Sequence, residues 1–126
     1  MIAQYVKERG YAGAGVDPHL TLGKKYDVFT ISFFSEQGHE INEIIVRSDQ
    51  DGTPAVFPLS CFQIVDGKIP SDWTIEQHDF ENYRIQPKEF NSDFWRDFHD
   101  GEEVSQRIFK DACLKIKIFH EPHKCA

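Results

Sequence analysis

Nowhere in these 126 residues do about 18 apolar side chains follow one another, the run a membrane-spanning helix needs, so no membrane partner is expected. Cysteine is scarce as well. Cys61, Cys113 and Cys125 are odd in number and widely spaced, which argues against a disulfide framework and suits free thiols in a reducing cytoplasm. The opening Met-Ile-Ala-Gln-Tyr-Val-Lys-Glu-Arg lacks the apolar core of an export signal, and the expected location is again cytoplasmic. Basic residues are in deficit, 14 Lys and Arg against 21 Asp and Glu, for a net charge of −7. Between Asp72 and Glu103 stand ten acids and three bases, so this quarter of the chain carries the whole excess. An acidic surface repels phosphate backbones, so nucleic acid is disfavoured as a partner and a basic protein is favoured.

What is abundant is phenylalanine. Eleven Phe in a chain of this length predict one domain with a ring-rich core, large enough to stand without disulfides or metals. The β-rich stretch runs from Tyr26 to Val65. Tyr26–Phe34 reads as one strand, with Phe29, Ile31 and Phe33 on one face and Tyr26, Val28 and Phe34 on the other, hence covered on both sides. Glu40–Arg47 follows as a second strand, and Asp51-Gly52 signals a hairpin. Thr53–Phe57 is the third, placed at an edge by Pro54. Ser60–Val65 is the fourth, after which Trp73 is expected to plug the end of the sheet, and Tyr83 and Ile85 suit a further short strand. Residues 1–19, with the Gly-rich Gly10–Gly15 and Asp17-Pro18, read as a flexible or irregular arm, because no helix follows to complete a phosphate-cradling loop.

The period changes after Pro87. Phe90, Phe94, Trp95 and Phe98 recur at helical spacing, Asn91 or Ser92 is placed to cap, Asp93 lies in the first turn, and Gly101 ends the helix. From Glu102 a second helix is marked by Val104, Ile108, Ala112 and Ile116, with Phe109 and Cys113 beside them. Leu114–Phe119 also alternates as a strand would, but helix to about Phe119 is the reading taken, with residues 120–126 as a loose tail. The expected fold is α+β: a small, strongly bent antiparallel sheet, with an SH3-like barrel as one form it could take, and one or two C-terminal helices packed on it.

No catalytic signature stands out, and the chain is expected to be a binding protein without a cofactor rather than an enzyme. His120, His123 and Cys125 offer three ligands where structural zinc wants four, and Pro122 does not preorganise them. His99-Asp100 is the dipeptide of a metal-dependent phosphohydrolase, yet the further His and Asp such sites need are missing. Cys61 with His39 or His78 would imitate a nucleophile and base, against the commoner role of a small buried thiol. Asp93, Asp97 and Asp100 share one helical face, either as a solvated face or as a docking surface whose self-repulsion is tolerated for its field. The proposed contact residues are Glu76, Asp79, Glu81, Asp93, Asp97, Asp100, Glu102 and Glu103, with Trp95 and Tyr83 as exposed aromatic anchors.

The segments Leu22–Val28, Asp51-Gly52, Phe62–Asp66 and Ile69–Trp73, followed by an acidic aromatic helix, resemble small bacterial immunity proteins that accompany polymorphic or contact-dependent inhibition toxins. The resemblance implies a cytoplasmic protein that binds one cognate toxin domain tightly and blocks its active site. Many such toxins are basic nucleases, which would fit the acidic surplus. A small β-barrel adaptor is the rival expectation, with a groove between the Pro54 strand and the loop through Trp73.

Overall fold

The computed structural model describes residues 1–10 and 17–121. In chain order the elements are β1 (Ile2–Tyr5), β2 (Lys25–Asp27), β3 (Thr30–Glu36), β4 (His39–Arg47), β5 (Pro54–Pro58), β6 (Phe62–Asp66), β7 (Trp73–Asp79), β8 (Asn82–Pro87), α1 (Phe94–His99) and α2 (Glu103–His120). Short 3-10 turns cover Leu59–Cys61 and Lys88–Phe90. The strands form two antiparallel sheets, one ordered β2-β1-β6 and the other β5-β4-β3-β8-β7. The α+β class and the C-terminal helices are as expected, but the sheets stay open and do not close into a barrel.

The expected single strand Tyr26–Phe34 is two strands in two sheets. Val28 and Phe29 are consecutive and both buried, and their backbone bonds go to different sheets. The amide of Val28 donates to the Met1 carbonyl at 3.1 Å, in the first sheet; that of Phe29 donates to the Ile45 carbonyl at 3.0 Å, in the second. The chain therefore changes sheets between these two residues. Its partner at the changeover comes from the segment expected to be an arm. Ile2–Tyr5 is the central strand of the smaller sheet, with Met1, Ala3 and Tyr5 buried at alternate positions. The arm reading is thus corrected for these residues, while the Gly-rich run beyond Gly10 lies outside the described residues.

Within the larger sheet the turn chemistry holds. Gly52 has φ +74° between β4 and β5, and β5, with a proline at each end, is an edge strand. Trp73 is buried, as a plug would be, but it starts β7 and pairs with Pro87. Asp49, in the turn after β4, ties the two sheets together. It accepts from Tyr26 Oη at 2.7 Å, Thr21 Oγ1 at 2.6 Å and Lys24 Nζ at 2.6 Å. Burial, together with the Asp49 carboxylate, pushes the Tyr26 hydroxyl up to about 12.

Helix α1 is only six residues long, and neither Asn91 nor Ser92 caps it. Ser92 sits at φ +60°, Asp93 occupies the N-cap position without a side-chain bond, and Asn91 is used elsewhere. Helix α2 begins just beyond Gly101 and runs to His120, as the helical reading required, but its buried stripe is Ser105, Phe109, Ala112 and Ile116, with Val104 exposed. His120 is not loose. Its Nε2 lies 2.9 Å from the Met1 amine and its Nδ1 3.6 Å from Asp66, which pins the end of α2 to the smaller sheet. Rings dominate the core around α1: Phe90–Phe94 at 4.5 Å, Phe90–Trp95 at 5.0 Å, Phe98–Phe109 at 5.2 Å and Phe29–Phe109 at 5.0 Å between centroids.

One buried amide joins these parts. Gln86 Oε1 accepts from Thr30 Oγ1 at 3.0 Å and from Trp95 Nε1 at 3.2 Å; its Nε2 donates to the Phe90 carbonyl and to Asn91 Oδ1, both at 3.0 Å. Every donor and acceptor of the side chain is occupied. Gln86→Met keeps the volume and strands these partners, so it should cost roughly 3 kcal/mol in urea unfolding, whereas a cost under about 1 kcal/mol would mean that water replaces the bonds.

A second buried polar group lies before β2. Asp17, with no exposed side-chain area, takes Arg9 Nε at 2.6 Å and the His19 amide at 2.9 Å. Burial alone would raise its pKa, but the His19 amide and the Arg9 guanidinium outweigh it and hold the group below its ordinary 3.8. A carboxyl depressed by folding contributes stability that is present above its unfolded value and lost as pH falls through the folded one. Asp17→Asn should therefore be less stable than the parent at neutral pH, and its stability should fall less steeply below pH 3.8; parallel acid-unfolding curves would refute this role.

Candidate partner-binding surface

The β7–β8 hairpin carries the most exposed ring among the described residues. Asp79-Phe80-Glu81 forms its tip, and Phe80 is 93% exposed between two carboxylates. The tip is held locally: Asp79 Oδ1 accepts from the Glu81 amide, and Tyr83 Oη donates to the Phe80 carbonyl, each at 3.3 Å. Register explains why other apolar groups collect beside it. Ile75, Ile85, Ile31, Ile44 and Phe57 stand opposite one another across five strands, and so share one face. Ile31, Ile44 and Phe57 are core, while Ile75 at the edge is 70% exposed. In the next row on that face, Tyr83 pairs with Phe33, and both are open to solvent. Phe33, Phe80 and Tyr83, with Glu40 and Glu81 at the rim, line a depression of about 510 Å³.

The other predicted carboxylates are divided by the fold. Glu76 faces α1: its Oε2 accepts the Ser92 amide at 2.9 Å. Its shielded Oε1 lies 2.8 Å from His78 Nε2, without the alignment of a hydrogen bond. Asn91 Nδ2 donates to Thr74 Oγ1 at 3.1 Å, so the loop before α1 runs along the β7 edge. From Glu76 to Asp79 is three residues of strand, about 10 Å. Asp93, Glu76, Asp79 and Glu81 thus follow one another along the loop before α1, β7 and its tip. In this strip Glu76 lies on the sheet face opposite to that of Ile75 and Tyr83, and only Asp79 and Glu81 flank Phe80. Asp93 and Asp97 are not an uncompensated pair, because Arg96 Nη2 lies 3.1 Å from the first and 3.5 Å from the second. Asp100, Glu102 and Glu103 are exposed at the junction of α1 and α2 and join the strip only through the backbone, the Glu102 amide donating to the Asp97 carbonyl at 3.0 Å.

Two expectations are corrected. Trp95 is not an exposed anchor: it is buried, stacked in the ring cluster and bonded to Gln86. The groove between the Pro54 strand and the Trp73 loop does not exist, since β5 and β7 are opposite edges of the larger sheet. Tyr83 is exposed as expected. Phe80 and Ile75 were not singled out in the sequence; Phe80 between two acids in a hairpin turn was the available signal.

The reactive candidates are dispersed. Cys61 is buried in the core at its 3-10 turn, His39 is exposed at the β3–β4 turn, and His78 contacts Glu76. His99 lies against Trp95 and Phe98 at the end of α1. His123 and Cys125 lie outside the described residues, and among the described residues no three His, Cys, Asp or Glu gather as metal ligands. No family model, curated protein or solved structure matches this chain.

A ring this exposed contributes nothing to the core. Phe80→Ser should change unfolding stability by less than about 0.5 kcal/mol, and a larger loss would show that Phe80 packs in solution.

Proposed function

We propose that this chain is an immunity protein, which binds a cognate, basic toxin domain and blocks it by occlusion rather than by chemistry. The observation that supports this reading is Phe80, nearly bare to solvent, with Asp79 and Glu81 beside it, Tyr83 and Phe33 lining the same depression, and Ile75 exposed further along β7. Apolar patches rimmed by charge are where protein partners dock, and aromatic side chains supply most of the binding energy there. The carboxylates of the strip complement Lys and Arg of a nuclease-like site and take the place its phosphates would occupy. Charge attraction of this kind speeds encounter and is screened by salt. The protein would work in the cytoplasm, where such a toxin meets its target.

A second reading has one observation in its favour. β7 is an edge strand, and an adaptor could accept a peptide there as an added strand. Main-chain pairing of that type depends little on salt or on Phe80.

The test is capture from the native bacterium at low salt, identification of the bound protein, and titration of its purified domain by calorimetry with an assay of its activity. A toxin domain that is inhibited, is released as salt rises, and binds the folded F80S/D79N/E81Q variant at least about tenfold more weakly supports the proposal. An uninhibited partner, or one bound equally by the variant, overturns it.

A further inference from the structure

On the other side of the charge balance lies a cleft that the sequence did not announce. It opens between α2 and the turn joining β4 to β5, with a volume of about 440 Å³, within the range of small-molecule sites. Its floor is aromatic. Phe29, Phe98 and Phe109 converge there from the changeover between the sheets, from α1 and from α2, with Phe29–Phe109 at 5.0 Å and Phe98–Phe109 at 5.2 Å. Its walls are cationic: Arg47 from the end of β4, and Lys110 and Lys117 about two turns apart on α2. All three are exposed, and none forms an ion pair with a carboxylate among the described residues. The lining holds one acid, Asp27. A second hollow of about 410 Å³ continues past Arg47 and Lys117 to Lys24 and Lys25. Its further acid, Asp49, is already held by Lys24 at 2.6 Å.

Unpaired cations gathered on a chain of net charge −7 call for a counter-charge. Arg47 is preorganised to supply the strongest contact. Its Nε donates to the Gly52 carbonyl at 2.8 Å, which fixes the plane of the guanidinium at the mouth of the cleft and leaves its Nη groups to bond an anion. Close packing supports the same geometry, since a Cβ on Gly52 would lie 3.1 Å from Arg47 Nη2. Cys113 lies within the same field. Burial pushes its thiol up, opposed by Arg47 and Lys117, so the cations act directly on the cleft interior.

We propose that this cleft binds a small amphipathic carboxylate, with an acyl or aryl body on the Phe29–Phe98–Phe109 floor and its head group on Arg47 and Lys117. A polyphosphate fits less well: Asp27 cancels part of the wall's charge, and the ring floor offers no donors to further oxygens. A head with one charge and an apolar tail satisfies both halves of the lining. The inference stands apart from the immunity reading, because it uses none of the hairpin or α1 carboxylates.

The probe is decanoate, followed by two-dimensional amide NMR of the full chain and by displacement of the fluorescent anion anilinonaphthalenesulfonate. Decanoate should shift the amides of Gly52, Thr53, Gln106 and Lys110 and compete with the dye, while decanol and decyltrimethylammonium should compete roughly tenfold less well or worse. The R47Q/K117Q variant should weaken decanoate by a similar factor and leave decanol unchanged; both positions are exposed, so the fold tolerates the exchange. F80S should bind decanoate as the parent does. Equal competition by decanol, an unchanged affinity in R47Q/K117Q, shifts centred on the β7–β8 tip, or no binding at all would each overturn the proposal.

Discussion

The side-chain amide of Gln86 is the constraint on which the arrangement of this molecule rests. It is wholly buried between β8, β3 and α1, and it meets one partner for each of its four hydrogen-bonding positions. An apolar side chain of that size would fill the space but would not select where α1 docks. The amide does select it. Its Nε2 holds the Phe90 carbonyl and Asn91, which sets the exit of the 3-10 turn; its Oε1 holds the Trp95 indole, which sets the rotation of α1. With Trp95 turned inward, Asp93, Arg96 and Asp97 must face outward. With Asn91 fixed, Thr74 and Glu76 of β7 gain partners that a bare edge strand would lack. The position of the acidic strip is a consequence of one neutral group in the core.

How much of this was legible follows from which forces are local. Asp51-Gly52, the prolines of β5, the Phe90–Phe98 period and the long run after Glu102 act over a few residues, and each element they predict is present. What failed was set at long range. Val28-Phe29 reads as the middle of a strand because both faces are apolar; only the Met1 and Ile45 carbonyls, far apart in sequence, turn it into a crossing between sheets. The alternation Met1, Ala3, Tyr5 is a strand signal, but it is too short to outweigh the glycines that follow. Trp95 was assigned to the surface because helical spacing gives a stripe and not its limits, and the limit here is the Gln86 bond. For the candidate surface, Tyr83 and the acids were legible, Phe80 was passed over, and the basic cleft was invisible because Arg47 and Lys110 meet only in the fold.

Sorting the charges by position gives the molecule two opposed fields. The carboxylate strip follows β7, its hairpin tip and the loop before α1; the cations line the gap between the end of β4 and α2. In the order β4-β3-β8-β7 three inter-strand steps separate Arg47's strand from that of Glu76, about 14 Å at the usual spacing. That exceeds the Debye length of about 10 Å at 0.1 M salt, so across the sheet surface each group of charges acts on what lies next to it. The net charge of −7 therefore describes neither site. It is only the excess of 21 acids over 14 Lys and Arg, while the cations of the cleft are concentrated over a floor of rings and the acids are spread along an edge and a turn. A protein partner of opposite charge can engage the edge without competing for the cleft, and an anion in the cleft can be held without being repelled from the edge. Two binding functions can then share one small core, since the same three rings, Phe29, Phe98 and Phe109, close the core on one side and form the cleft floor on the other.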